Sequence, residues 1–359
     1  MLRVLALVPY PTGRVPGQRY RIEQWAPHLR RLGVDVTLAP GLSPAAYERL
    51  QRPGGLAAKA AGLLAAHARR RRELRKLGGF DVAYVYRETV PGRSDWCERQ
   101  LAARLPFVLD FDDAIYLPAV SPANAAFAWL KDPDKAARLC RMARRVMVGN
   151  DTLAAWAASR STAVDVVPST IDTDVYVPAP RDTAGAGRLP VIGWTGSATT
   201  VPYLEALGPV LERVRQQRPL ELRVIGGQPR LAPALAARVL PWRAETEVAD
   251  LQPLDVGLMP LSDDPWSRGK CGMKALQYMA LAIPPVVSPV GVNATIVRHG
   301  ENGLHAASED EWVAALVRLL DDPGLRARLG AGARRTVEAG YSAQAIVPRV
   351  AAIFREAAR

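Results

Sequence analysis

Short apolar runs, each about the length of one buried strand, alternate with helix-period stretches along almost the whole chain. Residues 2–8 form the first run. Ile22, Trp25, Leu29 and Leu32 then recur at helical spacing until Gly33, and 34–38 is apolar again. Residues 81–86, 107–110, 145–149 and 164–167 continue the series, followed by 191–194, 221–225, 256–259 and 285–288. Strand-length runs separated by helices predict an α/β protein with parallel sheets covered on both faces. A chain of 359 residues exceeds one ordinary core. The aperiodic Pro/Gly/Ala stretch at 178–188 reads as the break. The expectation is two doubly wound, Rossmann-like domains facing across a cleft, 1–180 and 189–340, with 181–188 as linker. A last helix within 341–359 is expected to pack back on the first domain.

Net charge is +12 and unevenly placed. Residues 1–185 hold 27 Lys/Arg against 18 Asp/Glu, a net +9, and the remainder holds 20 against 17, a net +3. An anionic partner at the first half is one reading and a proteome rich in arginine is the other. Arg69, Arg70, Arg71 and Arg72 follow an Ala/Leu-rich stretch, a pattern that fits a helix resting on anionic lipid and equally a solvated surface helix. No aromatic-interleaved basic stretch points to nucleic acid. Cys97, Cys140 and Cys271 are far apart, which predicts reduced thiols and neither a disulfide framework nor a zinc site. No apolar run approaches the roughly 18 residues of a membrane span. The expected location is cytoplasmic, with peripheral attachment to the inner face of the membrane if the basic run serves lipid.

Three segments carry chemistry. After Gly269, the residues Lys270, Cys271, Gly272, Met273 and Lys274 lead into a helix of about 273–282. Free N–H groups at a helix start and two lysines beside them suit a diphosphate, and Gln277 lies one turn further along the same face. The same lysines also fit solvated positions beside an ordinary α/β connection. Residues 9–21 contain Gly13 and Gly17, which permit close backbone approach to a ligand. Arg19 and Arg21 there could reach a phosphate or an acidic acceptor. Asp112 and Asp113 end a strand-like run, where a carboxylate can orient a hydroxyl or act as base, or simply cap a helix. Trp242, after Pro241, suits a wall beside a nucleotide base.

The stretch from Gln277 through Met279, Ala280, Pro284, Pro285, Val286 and Val287 to Ser288 resembles the signature of the retaining GT-B glycosyltransferases of the "group 1" type. The loop from Val297 through Gly300, Asn302 and Gly303 is similar to that family's return loop. Residues 148–150, 167–172 and 192–197 resemble its strand ends in the right order. The resemblance implies transfer of a sugar from a nucleoside-diphosphate donor to a carbohydrate or lipid-linked acceptor hydroxyl, with retention. It further implies no metal and no cofactor beyond the donor itself. It assigns donor contacts to Gly13, Gly196, Ser197, Lys270, Gly272, Met273, Lys274 and Gln277, acceptor or phosphate contacts to Arg19 and Arg21, and catalysis to Asp112 and Asp113. Both signature glutamates are replaced here, by Gly269 and Gln277. Their loss argues against an epimerase and leaves a non-catalytic sugar-nucleotide or glycan binder as the alternative.

Overall fold

A computed structural model describes residues 1–52, 54–118, 132–180 and 188–359. Its contacts divide the chain into two units, 1–169 with 346–359, and 170–345. The division falls after Ser169, earlier in the chain than the Pro/Gly/Ala stretch, most of which (181–187) lies outside the described residues.

The first unit is built on six parallel strands: β1 (Leu2–Val8), β2 (Val34–Pro40), β3 (Val82–Tyr86), β4 (Phe107–Phe111), β5 (Arg145–Val148) and β6 (Val164–Val166), in the order β2-β1-β3-β4-β5-β6. β3 and β4 are buried along their whole length, as strands covered on both faces must be. The helix expected from residue 22 starts earlier and is irregular. Pro16–Gln18 leads into a π-helical turn, Arg19–Glu23, and then Gln24–Arg31. Arg21 sits at the kink with φ −108° and ψ −112°. The C-terminal helix Ala343–Ala357 brings Phe354 against Tyr84, ring edge to face at 6.0 Å. Its Arg355 donates to the carbonyl of Leu32.

The second unit repeats the plan with β7 (Val191–Gly196), β8 (Glu221–Gly226), β9 (Ala237–Leu240), β10 (Val256–Met259), β11 (Pro285–Val287) and β12 (Leu304–His305). The order is β12-β11-β10-β7-β8-β9, again parallel throughout. Ile192, Val224, Leu258 and Val286 from four of these strands share one core with Leu316 and Leu319 of the helix Glu309–Asp321. That helix opens with a capping box in which Ser308 and Glu311 satisfy each other's backbone N–H groups. Among the described residues no helix is long and apolar enough to cross a membrane.

Candidate functional site

In the second unit the chain runs β7, β8, β9 to one side and then returns to place β10 on the other side of β7. Beyond the carboxyl ends of β7 and β10 is therefore the switch point where open α/β sheets bind ligands. The segment after β10 supplies the helix Met273–Ala280, capped by Gly272 in the left-handed region at φ +69°. A side chain at 272 would also overlap Ile296. Tyr278 anchors the helix to the sheet, since its hydroxyl accepts from the Thr195 amide at 2.9 Å and donates to the Leu258 carbonyl at 3.3 Å. Its ring occupies the space over Gly257, where any Cβ would collide with it.

One turn before Tyr278, the Lys274 Nζ lies 5.5 Å from the centre of the Trp194 ring in β7. The Lys270 Nζ lies 5.5 Å from Trp266 and 5.9 Å from Tyr203. Two ammonium groups are thus gathered on aromatic faces beside the helix start, both partly exposed. Gly196 and the exposed Ser197 follow β7, and Ser197 pairs with the Thr199 hydroxyl at 2.9 Å. Gly226 at the end of β8 has φ +83°, and a Cβ there would overlap the Gly196 carbonyl. The Cβ of Trp242 lies 3.5 Å from the same point. Of the expected donor residues, Gly196 and Ser197 lie at and just after the end of β7, Gly272, Met273, Lys274 and Gln277 belong to this one helix and its cap, Lys270 lies two residues before the cap, and Gly13 belongs to the first unit.

Gln277 is buried, and its amide Nε2 donates to Glu247 Oε1 at 3.0 Å. Trp242 Nε1 donates to the same oxygen at 2.8 Å, and the Tyr176 hydroxyl to the other at 2.7 Å. Glu247 is only 2% exposed. The sequence reading missed it, because a single glutamate opening the short helix Glu247–Leu251 carries no linear signal of the three partners that converge on it.

In the first unit the strand order switches between β1 and β3. Arg87, just past β3, has φ +60°, an uncommon conformation for a residue with a side chain. Its Nη2 reaches Asp112 at 2.7 Å and Asp113 at 2.6 Å, so one guanidinium clamps both expected catalytic carboxylates. The Tyr86 hydroxyl donates to Asp112 at 2.6 Å. Burial pushes the Asp112 carboxyl up, but Arg87, the Tyr86 hydroxyl and Arg21 outweigh it and hold the group below the usual aspartate range. Gly17 packs directly on this cluster, and a Cβ there would overlap both the Tyr86 hydroxyl and the Asp112 carboxylate. The 9–18 loop is held by side chains. Gly13 N donates to Glu23 at 2.8 Å, and Gln18 bridges Glu23 (2.6 Å) and the Tyr10 carbonyl (2.9 Å). Arg19 is partly exposed, with its guanidinium 5.0 Å from the Tyr20 ring.

Two expectations from the sequence need correction. Arg21 does not reach outward to a phosphate: it is fully buried, with Nε on Asp110 at 2.8 Å, Nη2 on the other Asp110 oxygen and Nη1 on the Val167 carbonyl at 2.6 Å. Desolvation of Asp110 requires a buried cation, and Arg21 with the Tyr84 hydroxyl meets that need. The basic run is not one surface patch either. Arg70 is fully buried and donates to the carbonyls of Val8 (2.6 Å), Ala39 (2.7 Å) and Thr89 (3.0 Å). Arg69 turns to the Pro40 and Gly41 carbonyls at 3.2 and 3.3 Å. Arg71 and Arg72 are exposed, Arg71 lying 5.0 Å from the Trp96 ring centre.

All three cysteines are buried and unbridged, and burial pushes Cys97 up to about 11 and Cys140 to about 12. In the return loop, Asn302 is buried, accepting from the Arg298 amide at 2.6 Å and donating to the Ile296 carbonyl at 3.0 Å.

Two parallel doubly wound units of this kind define an α/β class, with a helix start and two lysines gathered at the switch point of the second unit. Residues 190–322 match the family model described as "Glycosyl transferases group 1". These residues are therefore similar to the group 1 glycosyl transferases, and the chain that carries them has the GT-B fold. Two curated relatives are D-inositol 3-phosphate glycosyltransferases. That of Thermobispora bispora is 29% identical over 227 residues (54% of this chain, 50% of the relative), and that of Stackebrandtia nassauensis 32% over 200 residues (47% and 44%). The chain therefore spans about half the length of the curated relatives it matches. Among solved structures, sucrose-phosphate synthase from Thermosynechococcus elongatus superposes with TM-score 0.73 at 14% identity, covering 99% of both chains. Anabaena HepE in complex with UDP and glucose gives 0.66 at 16%, covering 99% of this chain and 100% of that one.

Proposed function

We propose that this protein transfers a sugar from a nucleoside-diphosphate donor to an acceptor hydroxyl, with retention and without a metal ion. The observation that carries the reading is the convergence of Lys270, Lys274 and the Gly272-capped helix start at the β7/β10 switch point. Positive charge and the positive end of the helix dipole there stabilise a diphosphate most strongly as the glycosidic bond breaks and the leaving group gains charge. A neighbour of the same fold holds UDP and glucose, which supports a nucleotide-sugar donor. The first unit receives a carbohydrate or lipid-linked acceptor. Asp112, kept ionised by Arg87, orients its hydroxyl or takes its proton, with Asp113 beside it. The exposed Arg71 and Arg72, on a helix (Leu56–Glu73) that also exposes Leu56 and Leu64, bring the protein to the anionic inner face of a membrane. The test is mass-spectrometric turnover of a panel of nucleotide sugars with and without EDTA. Hydrolysis or transfer that survives chelation is expected. Binding of a nucleotide sugar with no turnover would favour the non-catalytic binder, and activity restored only by magnesium or manganese would contradict the metal-free reading.

A further inference from the structure

We propose that the second unit carries a further anion site, a groove between the return loop and the helix Pro323–Gly340 that takes a phosphorylated sugar. The groove has a volume of about 650 Å³, within the range of small-molecule sites. It stands apart from the donor reading above. The return loop leads into β12, and a Cβ at Gly303 would overlap the Pro285 carbonyl at the start of β11. This loop therefore lies at the amino ends of the strands, the opposite end from Lys270 and Lys274. The floor of the groove is fixed. The Thr336 hydroxyl donates to the Gly332 carbonyl at 2.9 Å and accepts from Asn302 Nδ2 at 3.0 Å. Gly332 packs so closely that a Cβ there would overlap the Glu301 carbonyl.

Two guanidinium groups line the space. Arg335 is exposed and has no hydrogen bond or ion pair among the described residues. Arg298 gives its Nε to Glu301 at 2.7 Å, in a pair whose side chains are 60% and 66% exposed and which therefore parts at little cost. The Tyr341 hydroxyl has no partner among the described residues either. Burial pushes that phenol up, and the nearby Arg298 cation acts the other way. Guanidinium groups match the oxygens of a phosphate. The Glu301 carboxylate and the phenol are of no use to a bare anion, but both can bind the hydroxyls of a sugar. A Cβ at Gly340 would meet nothing within 4 Å, so the end of the helix faces open space in the groove.

The experiment is calorimetric titration of glucose 6-phosphate, ribose 5-phosphate and inorganic phosphate into the full chain. It compares the wild type with Arg335→Ser, Arg298→Ser, Gly340→Leu and Lys274→Ala, and the folded state of each is read from its melting temperature. At least one sugar phosphate should bind, and more tightly than inorganic phosphate. Arg335→Ser and Arg298→Ser should each weaken it about tenfold, the low end of a charge-assisted contact. Gly340→Leu fills the groove without removing a charge and should weaken it at least as much. Lys274→Ala should leave it within about twofold. If one groove variant does not fold, the other two carry the test. Binding of neither sugar phosphate overturns the proposal, as does an affinity that any folded groove variant leaves unchanged. An affinity lost in Lys274→Ala overturns it too, because the ester would then sit at the β7/β10 switch point. Inorganic phosphate binding as tightly as both esters would refute the assignment to a sugar. None of these outcomes touches the donor reading, which fails only if no nucleoside diphosphate binds.

Discussion

At the scale of single residues, the first unit depends on charges placed where their cost is offset by fixed partners. Asp112 shows this most directly. Its carboxyl is held below the usual aspartate value of about 3.9, so its contribution is present above that value and lost as pH falls through the depressed one. Replacing it with Asn should cost about 1.5–3 kcal/mol at neutral pH, the worth of hydrogen bonds to a charged group. The gap from wild type should narrow below about pH 4, which thermal unfolding at a series of pH values would read. A gap that widens in acid would contradict the assignment. Gly17→Ala should destabilise by roughly 1–3 kcal/mol, because its Cβ must displace either the Tyr86 hydroxyl or the Asp112 carboxylate. A melting temperature unchanged by this substitution would show that the cluster gives way easily. Asp112 and Asp113 were legible in the sequence as strand-end carboxylates. Arg87 and Glu247 were not, because nothing in a linear chain states which distant acid an arginine clamps, or which distant amide a glutamate receives.

Among the elements, the strands were legible because a parallel sheet buried on both faces must be written as apolar runs. β1 and β10 have the limits that the runs define. β9 (Ala-Arg-Val-Leu) escaped notice because it is a half-exposed edge strand with an arginine in it, and β12 because it is two residues long. The helix Leu56–Glu73 shows the opposite limit, since a run of arginines says nothing of which face each one takes. At 100° per residue, Arg70 points inward while Arg71 and Arg72 stay outside. Arg70 joins the carboxyl ends of β1 and β2 to the segment after β3, so Arg70→Met should take a buried donor away from three carbonyls, one of which (Val8) keeps the Gly41 amide at 2.8 Å. At roughly 1–3 kcal/mol each, the loss should be several kcal/mol, visible as a marked fall in the denaturation midpoint. Arg71→Ser with Arg72→Ser should leave that midpoint within about 0.5 kcal/mol. The double variant should instead reduce co-sedimentation with phosphatidylglycerol vesicles at low salt. Equal sedimentation of the variant and the wild type would leave these arginines as ordinary solvated residues.

For the molecule as a whole, two units of the same plan carry different chemistry at equivalent places. Each gathers charged side chains beyond the carboxyl ends of its strands at a switch in strand order, acidic and arginine-clamped in the first, lysine-rich with a helix start in the second. The central claim is that the second of these holds the diphosphate of a sugar donor. Titration calorimetry with UDP, GDP, ADP and dTDP tests it most directly, on the wild type and on Lys274→Ala. At least one diphosphate should bind, and it should raise stability by about 2.7 kcal/mol at 100 times its dissociation constant. Lys274→Ala should weaken it by about 1.5–3 kcal/mol, the worth of a charge-assisted contact, or roughly 10- to 150-fold in dissociation constant. No binding of any of the four, or binding indifferent to Lys274, would contradict the account.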